Sequence, residues 1–247
     1  MKLGRPSGGH HRRGFKHGPA VNALPSALAA RVAGGHLGRV QSPALVTLGL
    51  FGGSFNPPHV GHLAVAEACA EAAGLDRVLW MPAATPPHKR DDPGLAPADE
   101  RLALVRAATA GNDRFEVSDL EIARDGVSYT VDTLRQLRDA HPGADLALLV
   151  GGDSLAAFAT WREPRAILDL ARLLAYRRPG ADLGDVPAWV LDRTEIVEGP
   201  LLDLSSTMLR ERIAAGRTVR YLVPDAVRQR VEARGLYREG SVGGGRP

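Results

Sequence analysis

One cysteine in 247 residues, Cys69, excludes a disulfide framework. It falls on the apolar face of a predicted helix, so a reducing, cytoplasmic setting is expected. No apolar run approaches the roughly 20 residues of a membrane-spanning helix, so no membrane association is expected. Residues 1 to 43 contain no acid, against Lys2, Arg5, Arg12, Arg13, Lys16, Arg31 and Arg39. Taking those seven positives from a formal net charge of +3 leaves about −4 for the remainder. The basic character therefore belongs to a tail, and the rest carries no broad nucleic-acid footprint. Two more absences bear on chemistry. No glycine loop ends in a Lys-Ser or Lys-Thr pair, which excludes a P-loop. No carboxylate cluster suggests a dedicated metal cage.

Rich in Gly, His, Arg and Pro, residues 1 to 43 read as a disordered basic arm. A polyanion-binding tether is its functional alternative, and an upstream start codon explains it equally well. Residues 239 to 247 read as a frayed tail. Residues 44 to 238 are then expected to form one α/β domain.

Within that span strand-like and helix-like segments alternate. Ala44 to Phe51 is almost wholly apolar and stops at Gly52-Gly53. Pro57 and Pro58 bar regular structure until about His59, after which Val60, Leu63, Ala64 and Cys69 suit a helix with a buried face. Further strands are predicted at Arg77 to Met81, Phe115 to Ser118, Leu146 to Val150 and Arg172 to Tyr176, and short ones at Ala188 to Leu191 and Glu195 to Val197. Helices are predicted at Pro97 to Gly111, Thr130 to Ala140, Glu163 to Leu170, Ser205 to Ala215 and Pro224 to Arg234. Such alternation predicts a Rossmann-like, doubly wound parallel sheet with helices on both faces and the last helices appended. Ligands in such sheets lie beyond the carboxyl ends of the strands. Gly52-Gly53, Pro82 to Lys89 and Gly151 to Asp153 should therefore meet at one crevice.

A strand, a glycine turn and a helix N-terminus make an anion site from free backbone N–H groups and the helix dipole. His59 and His62, three residues apart on the first turn, can face the same anion, and Ser54 adds a hydroxyl. In PAATPPHK, Lys89 follows a stiff Pro-Pro pair and can reach outer phosphates, while Ala83 to Thr85 offer backbone donors. Ser128 or Thr130 is expected to cap the helix that follows. Asp153 at a strand end suits ribose hydroxyls, with Trp161 eight residues later and Arg177 after the next strand. Leu204 to Arg212, LSSTMLRER, is a second helix start with spare hydroxyls at Ser205, Ser206 and Thr207. Arg210 follows a turn later. Two helix starts together suggest a triphosphate held from both sides.

These residues closely resemble the HxGH nucleotidyltransferase superfamily and, within it, the bacterial nicotinate-nucleotide adenylyltransferase family. The shared blocks are GGSFNPPHVGHL, PAATPPHK, SYTVDTL, GGDSLAAFATW, YRRPG and LSSTMLRERIAAGRTVRYLVPDAVRQRVEARGLY, spanning roughly Leu48 to Tyr237. HxGH alone is shared with class I aminoacyl-tRNA synthetases; the serine-threonine block ending in arginine narrows it, and SYTVDTL with GGD narrows it again. The resemblance implies transfer of the adenylyl group of ATP to nicotinate mononucleotide, giving deamido-NAD and pyrophosphate, with magnesium carried in on ATP. It implies that His59, His62 and Arg210 act on the phosphates. Gly52, Gly53, Ser54 and Phe55 line the nucleotide; Lys89, Ser205, Ser206 and Thr207 hold the triphosphate. Gly151, Asp153 and Arg177 lie on the adenosine side, and Thr85, Tyr129, Thr130 and Trp161 towards the nicotinate. Family members often place an aromatic in the helix after SYT, where Leu137 falls here. The enzymatic alternative is adenylyl transfer to nicotinamide mononucleotide or another phosphate acceptor. A nucleotide-sensing or nucleic-acid-binding protein tethered by the arm is the alternative of another class, and intact His59, His62 and Arg210 argue against it.

Overall fold

The structure, a computed structural model, describes residues 46–87, 92–124, 126–177, 183–200 and 202–238. The predicted arm, the predicted tail and Lys89 lie outside them. Six strands, β1 (Thr47–Gly53), β2 (Arg77–Pro82), β3 (Phe115–Val117), β4 (Asp145–Gly151), β5 (Arg172–Arg177) and β6 (Thr194–Glu198), form one sheet in the order β3-β2-β1-β4-β5-β6. Every neighbouring pair is parallel. The strand order reverses beside β1: the chain winds outward through β2 and β3, then crosses back to β4. The crevice beyond β1 and β4 is the topological switch point.

Burial on both faces explains the near-continuous apolar strands. Side chains alternate across the sheet. Leu48, Leu50, Leu79, Met81, Leu146, Leu148 and Val150 pack on one face against α4 (Thr130–Ala140) and α6 (Pro164–Leu170). Phe51, Val78, Trp80, Ala147 and Leu149 pack on the other against α1 (Val60–Ala72), which contributes Ala66, Cys69 and Ala70, and against Val105 of α2 (Ala98–Thr109). Cys69 is fully buried as predicted. The final helices, α8 (Ser206–Ala214) and α9 (Asp225–Arg234), form a third apolar cluster with Leu104 and Ala108 of α2. None of the helices among the described residues is long and apolar enough to cross a membrane.

The structure corrects one predicted element and adds others. Ala188–Leu191 is a helix, α7, starting after Pro187, and not a strand. Its four apolar residues have no period that separates helix from strand. The short helices α3 (Leu120–Arg124) and α5 (Gly152–Ala156) and the 3-10 turn Phe158–Thr160 carry no clear signal of their own.

Candidate active site

The turn from β1 to α1 forms the centre. His59 is the extended N-cap residue of α1, and its backbone N–H donates to His62 Nδ1 at 3.2 Å. An acceptor Nδ1 puts the proton of neutral His62 on Nε2. The two rings are in contact, tilted by 34° with centroids 3.7 Å apart. Phe55, in the left-handed region at φ 47°, sets its ring edge-on to His62 at 5.2 Å. His59 is 6% exposed and its buried Nδ1 has no hydrogen-bond partner. Loss of water around it pulls its pKa down to about 4, so it is neutral at neutral pH. The glycine between the histidines has a steric cause: a Cβ on Gly61 would lie 3.0 Å from His59 Nδ1.

Two side-chain positions of this turn face the protein interior. The Phe55 ring is 2% exposed and packs among Phe51, Trp80 and His62, so only its backbone can face a ligand. The space a Cβ on Gly53 would take is filled by that same ring at 3.1 Å. Around Gly52, Gly151 and Gly152, by contrast, a Cβ would meet nothing within 4 Å. Those three glycines at the carboxyl ends of β1 and β4 leave the open cradle the fold predicts.

The second helix start is tied to the first. Ser205 is the N-cap of α8, and its hydroxyl oxygen accepts from Met208 N–H at 3.2 Å. The Ser206 hydroxyl donates to Pro57 O at 2.9 Å, and Arg210 donates to Asn56 O at 3.0 Å and to Thr207 at 3.4 Å. Half-buried Arg210 pairs with no carboxylate among the described residues, so its charge is available to an anion. On the far side of the crevice Asp153 is exposed in the first turn of α5. Arg177 lies at the same edge but is engaged with Glu198 of β6 at 2.5 Å.

A third wall holds Thr85, bridged to Val127, and Tyr129, the N-cap of α4. Arg162 lies over the Tyr129 ring at 4.6 Å, Thr130 is half-buried, and half-buried Trp161 packs on Phe158 at 5.3 Å. Neither Ser128 nor Thr130 caps α4; Ser128 accepts from Ala84 N–H at 3.0 Å, across to the opposite loop. Leu137 is 2% exposed in the core and cannot reach a ligand.

Residues that sequence reasoning passed over hold this site together. Arg101 is 1% exposed and donates to Ala96 O, Ser54 O and Ala84 O at 2.9, 3.0 and 2.9 Å, joining three loops. Its only signal is a charge on the same helical stripe as Leu104, Val105 and Ala108. Asn56 is fully buried: its side chain donates to Gly94 O at 2.8 Å and accepts from Ala96 N–H at 3.0 Å and the Tyr237 hydroxyl at 2.8 Å. Among the described residues no group of three or more His, Cys, Asp or Glu is placed to hold a metal ion.

Fold and site together define a nucleotide-binding α/β protein with an anion cradle built from two helix starts. The profile of the Cytidylyltransferase-like family matches residues 50–212. A protein of Salinibacter ruber with the name "Probable nicotinate-nucleotide adenylyltransferase" is 48% identical over 193 residues, 78% of this chain and 98% of the relative. A protein of the same name from Roseiflexus sp. is 48% identical over 197 residues, 77% of this chain and 98% of the relative. Two structures of Plasmodium falciparum nicotinic acid mononucleotide adenylyltransferase, complexed with APC and with NaAD, share the fold at TM-scores of 0.63. Their identities are 14% and 16%, covering 77% of this chain and 96% and 97% of theirs. The chain belongs to the Cytidylyltransferase-like family, on its nicotinate-nucleotide adenylyltransferase branch.

Proposed function

We propose that the protein transfers the adenylyl group of ATP to nicotinate mononucleotide, giving deamido-NAD and pyrophosphate, in the cytoplasm, and that residues 44–238 carry the activity. One observation bears most of the weight: the start of α8 is hydrogen-bonded to the histidine turn itself, through Ser206 to Pro57 O and Arg210 to Asn56 O. A triphosphate laid across that seam meets donors from both helices.

A phosphate oxygen of the mononucleotide forms the new bond to the α-phosphorus, and the bond to the bridging oxygen breaks, pyrophosphate leaving with the electron pair. The nucleophile is already an anion, so no general base is needed; rate comes from alignment and from donors aimed at the developing charge. His62, through Nε2–H, and Arg210 supply those donors. His59, buried and neutral, holds the His62 ring by contact with its own and adds its edge to the phosphate side. Ser205, Ser206, Thr207 and Lys89 serve the triphosphate. Gly52, Ser54 and the Phe55 backbone border the nucleotide, with Gly53 serving them by making room for the Phe55 ring. Gly151 and Asp153 lie on the adenosine side, Arg177 being a weaker contributor because Glu198 already neutralises it. Thr85, Tyr129, Thr130 and Trp161 receive the nicotinate, and with Leu137 in the core any ring stacking falls to Tyr129 or Trp161. Magnesium enters on the ATP phosphates as part of the substrate.

Pyrophosphate release from ATP with nicotinate mononucleotide, nicotinamide mononucleotide and pantetheine phosphate as acceptors tests the assignment; equal or better use of the amide sinks it. His62→Ala should lower kcat by about 100-fold or more, the scale of losing one such donor, with ATP affinity within a few-fold. Near-normal turnover would refute the role of His62.

A further inference from the structure

The β1–β2 ladder runs to Gly53 opposite Pro82, and one more backbone bond follows it, from Ala83 N–H to Gly53 O at 3.0 Å. Past that point the two chains serve different walls of the crevice. Ser54 leads into the histidine turn through Asn56, whose carbonyl receives Arg210. Ala84 leads onto the third wall: its N–H donates to Ser128 Oγ at 3.0 Å, and Ser128 N–H donates to Thr85 O at 3.1 Å. Thr85 bridges Val127, two residues before Tyr129. Among the described residues the next link between the two chains is a side chain. Arg101 Nη1 donates to Ser54 O at 3.0 Å and Nη2 to Ala84 O at 2.9 Å, while Nε donates to Ala96 O at 2.9 Å.

The group that makes this link is rigid. A guanidinium is planar, always charged, and carries its N–H donors in a fixed fork, so acceptors bonded to one fork keep fixed relative places. Its helix, α2, is anchored by fully buried Leu104 and Val105 in two separate apolar clusters. Arg101 is itself 1% exposed and bonds to carbonyls of both walls. Among the described residues it pairs with no carboxylate, so its hold is a matter of geometry and not of an ion pair.

We propose that Arg101 is a positioning residue that sets the separation and alignment of the two bound substrates, acting through Ser54 on the ATP side and Ala84 on the acceptor side. The inference rests on the adenylyltransferase reading above and extends it to how the reacting phosphates meet. Attack on the α-phosphorus needs the acceptor oxygen in line and near contact distance, so an error in the spacing of the walls falls on the chemical step. Each substrate alone rests mainly on one wall and is indifferent to that spacing. Deamido-NAD, which spans both, is not.

The test compares the wild type, Arg101→Met and Arg101→Lys by steady-state kinetics, by calorimetric binding of ATP, nicotinate mononucleotide and deamido-NAD separately, and by thermal unfolding. Both variants should lower kcat by about 100-fold, the scale of a misplacement of roughly 1 Å. Kd for deamido-NAD should rise about tenfold or more, while Kd for ATP and for the mononucleotide, each alone, stays within about threefold. Lysine keeps the charge but not the fork, so it should not recover kcat. Unchanged kcat in a folded variant or full recovery with lysine would overturn the proposal. Equal weakening of all three ligands would overturn it too, by marking a general loosening of the site. Should Arg101→Met fail to fold, Arg101→Lys decides on the same criteria; failure of both makes Arg101 a requirement for folding and overturns the narrower role. A wild type that does not adenylylate nicotinate mononucleotide refutes the functional reading first, and this inference with it. A wild type that does, beside variants that keep kcat, refutes only the role of Arg101.

Discussion

At the scale of single residues, His59 shows how a site stores a demand for charge. Its ring is buried with an unpartnered Nδ1, so protonation in the free enzyme is penalised and its pKa falls to about 4 from 6.5. Between those values the unfolded chain binds more protons than the folded one, so stability falls as pH drops through that window and levels off below it. The full difference is about 3 kcal/mol. Urea unfolding of the wild type and His59→Gln from pH 7 to pH 4 should show a steeper acid loss in the wild type; superimposable pH profiles would remove His59 as the cause. The two histidines were legible in the sequence because a helix brings residues three apart to one side. Asn56 and Arg101 were not. Their partners, Gly94, Ala96 and Tyr237 for the one and Ser54, Ala84 and Ala96 for the other, lie mostly far along the chain and come together only when the loops fold.

The elements that matter most are two helix starts, and the sequence marked both: α1 after a Pro-Pro pair, α8 after a serine N-cap. Their mutual hydrogen bonds were not visible, since Ser206 and Pro57 are 149 residues apart. Gly61 makes the difference between a helix that is merely stable and one that serves a site. It sits in the first turn of α1, where alanine suits a helix better by roughly 1 kcal/mol. A methyl there would press on the His59 ring, 3.0 Å from Nδ1 and 3.1 Å from Cε1. Gly61→Ala should therefore lower kcat by about tenfold or more while leaving the unfolding midpoint unchanged or slightly higher. Activity and stability falling together would mean that the helix, and not the ring, had been damaged. Misreading α7 as a strand has a similarly local cause. AWVL is too short for a period, and Pro187 as a helix start was the cue that outweighed its β-branched and aromatic content.

For the molecule as a whole, the doubly wound sheet was legible because its four inner strands, β1, β2, β4 and β5, are near-continuous apolar runs, each followed by a turn or loop. That β1 lies beside β4 came only with the structure, since alternation of strands and helices leaves the strand order open. What no local pattern announced is that the chain ends by returning to its opening motif. Tyr237, beyond α9, donates to Asn56 Oδ1 at 2.8 Å, and Asn56 O receives Arg210 at 3.0 Å. Val60 N–H, at the first residue of α1, donates to Leu222 O at 3.1 Å between the last two helices. The C-terminal helices thus brace the histidine turn from outside the sheet as well as supplying Arg210. Burial pushes the Tyr237 phenol well above its ordinary pKa, so it stays a donor throughout the working pH range. Tyr237→Phe keeps the packing and removes only that donor. It should cost about 1 kcal/mol, a fall of about 2–4 °C in Tm for a domain of this size. If the bond also steadies the seam between the two helix starts, KM for ATP should rise several-fold while KM for nicotinate mononucleotide, received on the other wall, stays within twofold. A fall in Tm with both KM values unchanged would leave the bond purely structural, and an unchanged Tm would show that Asn56 does not depend on it at all.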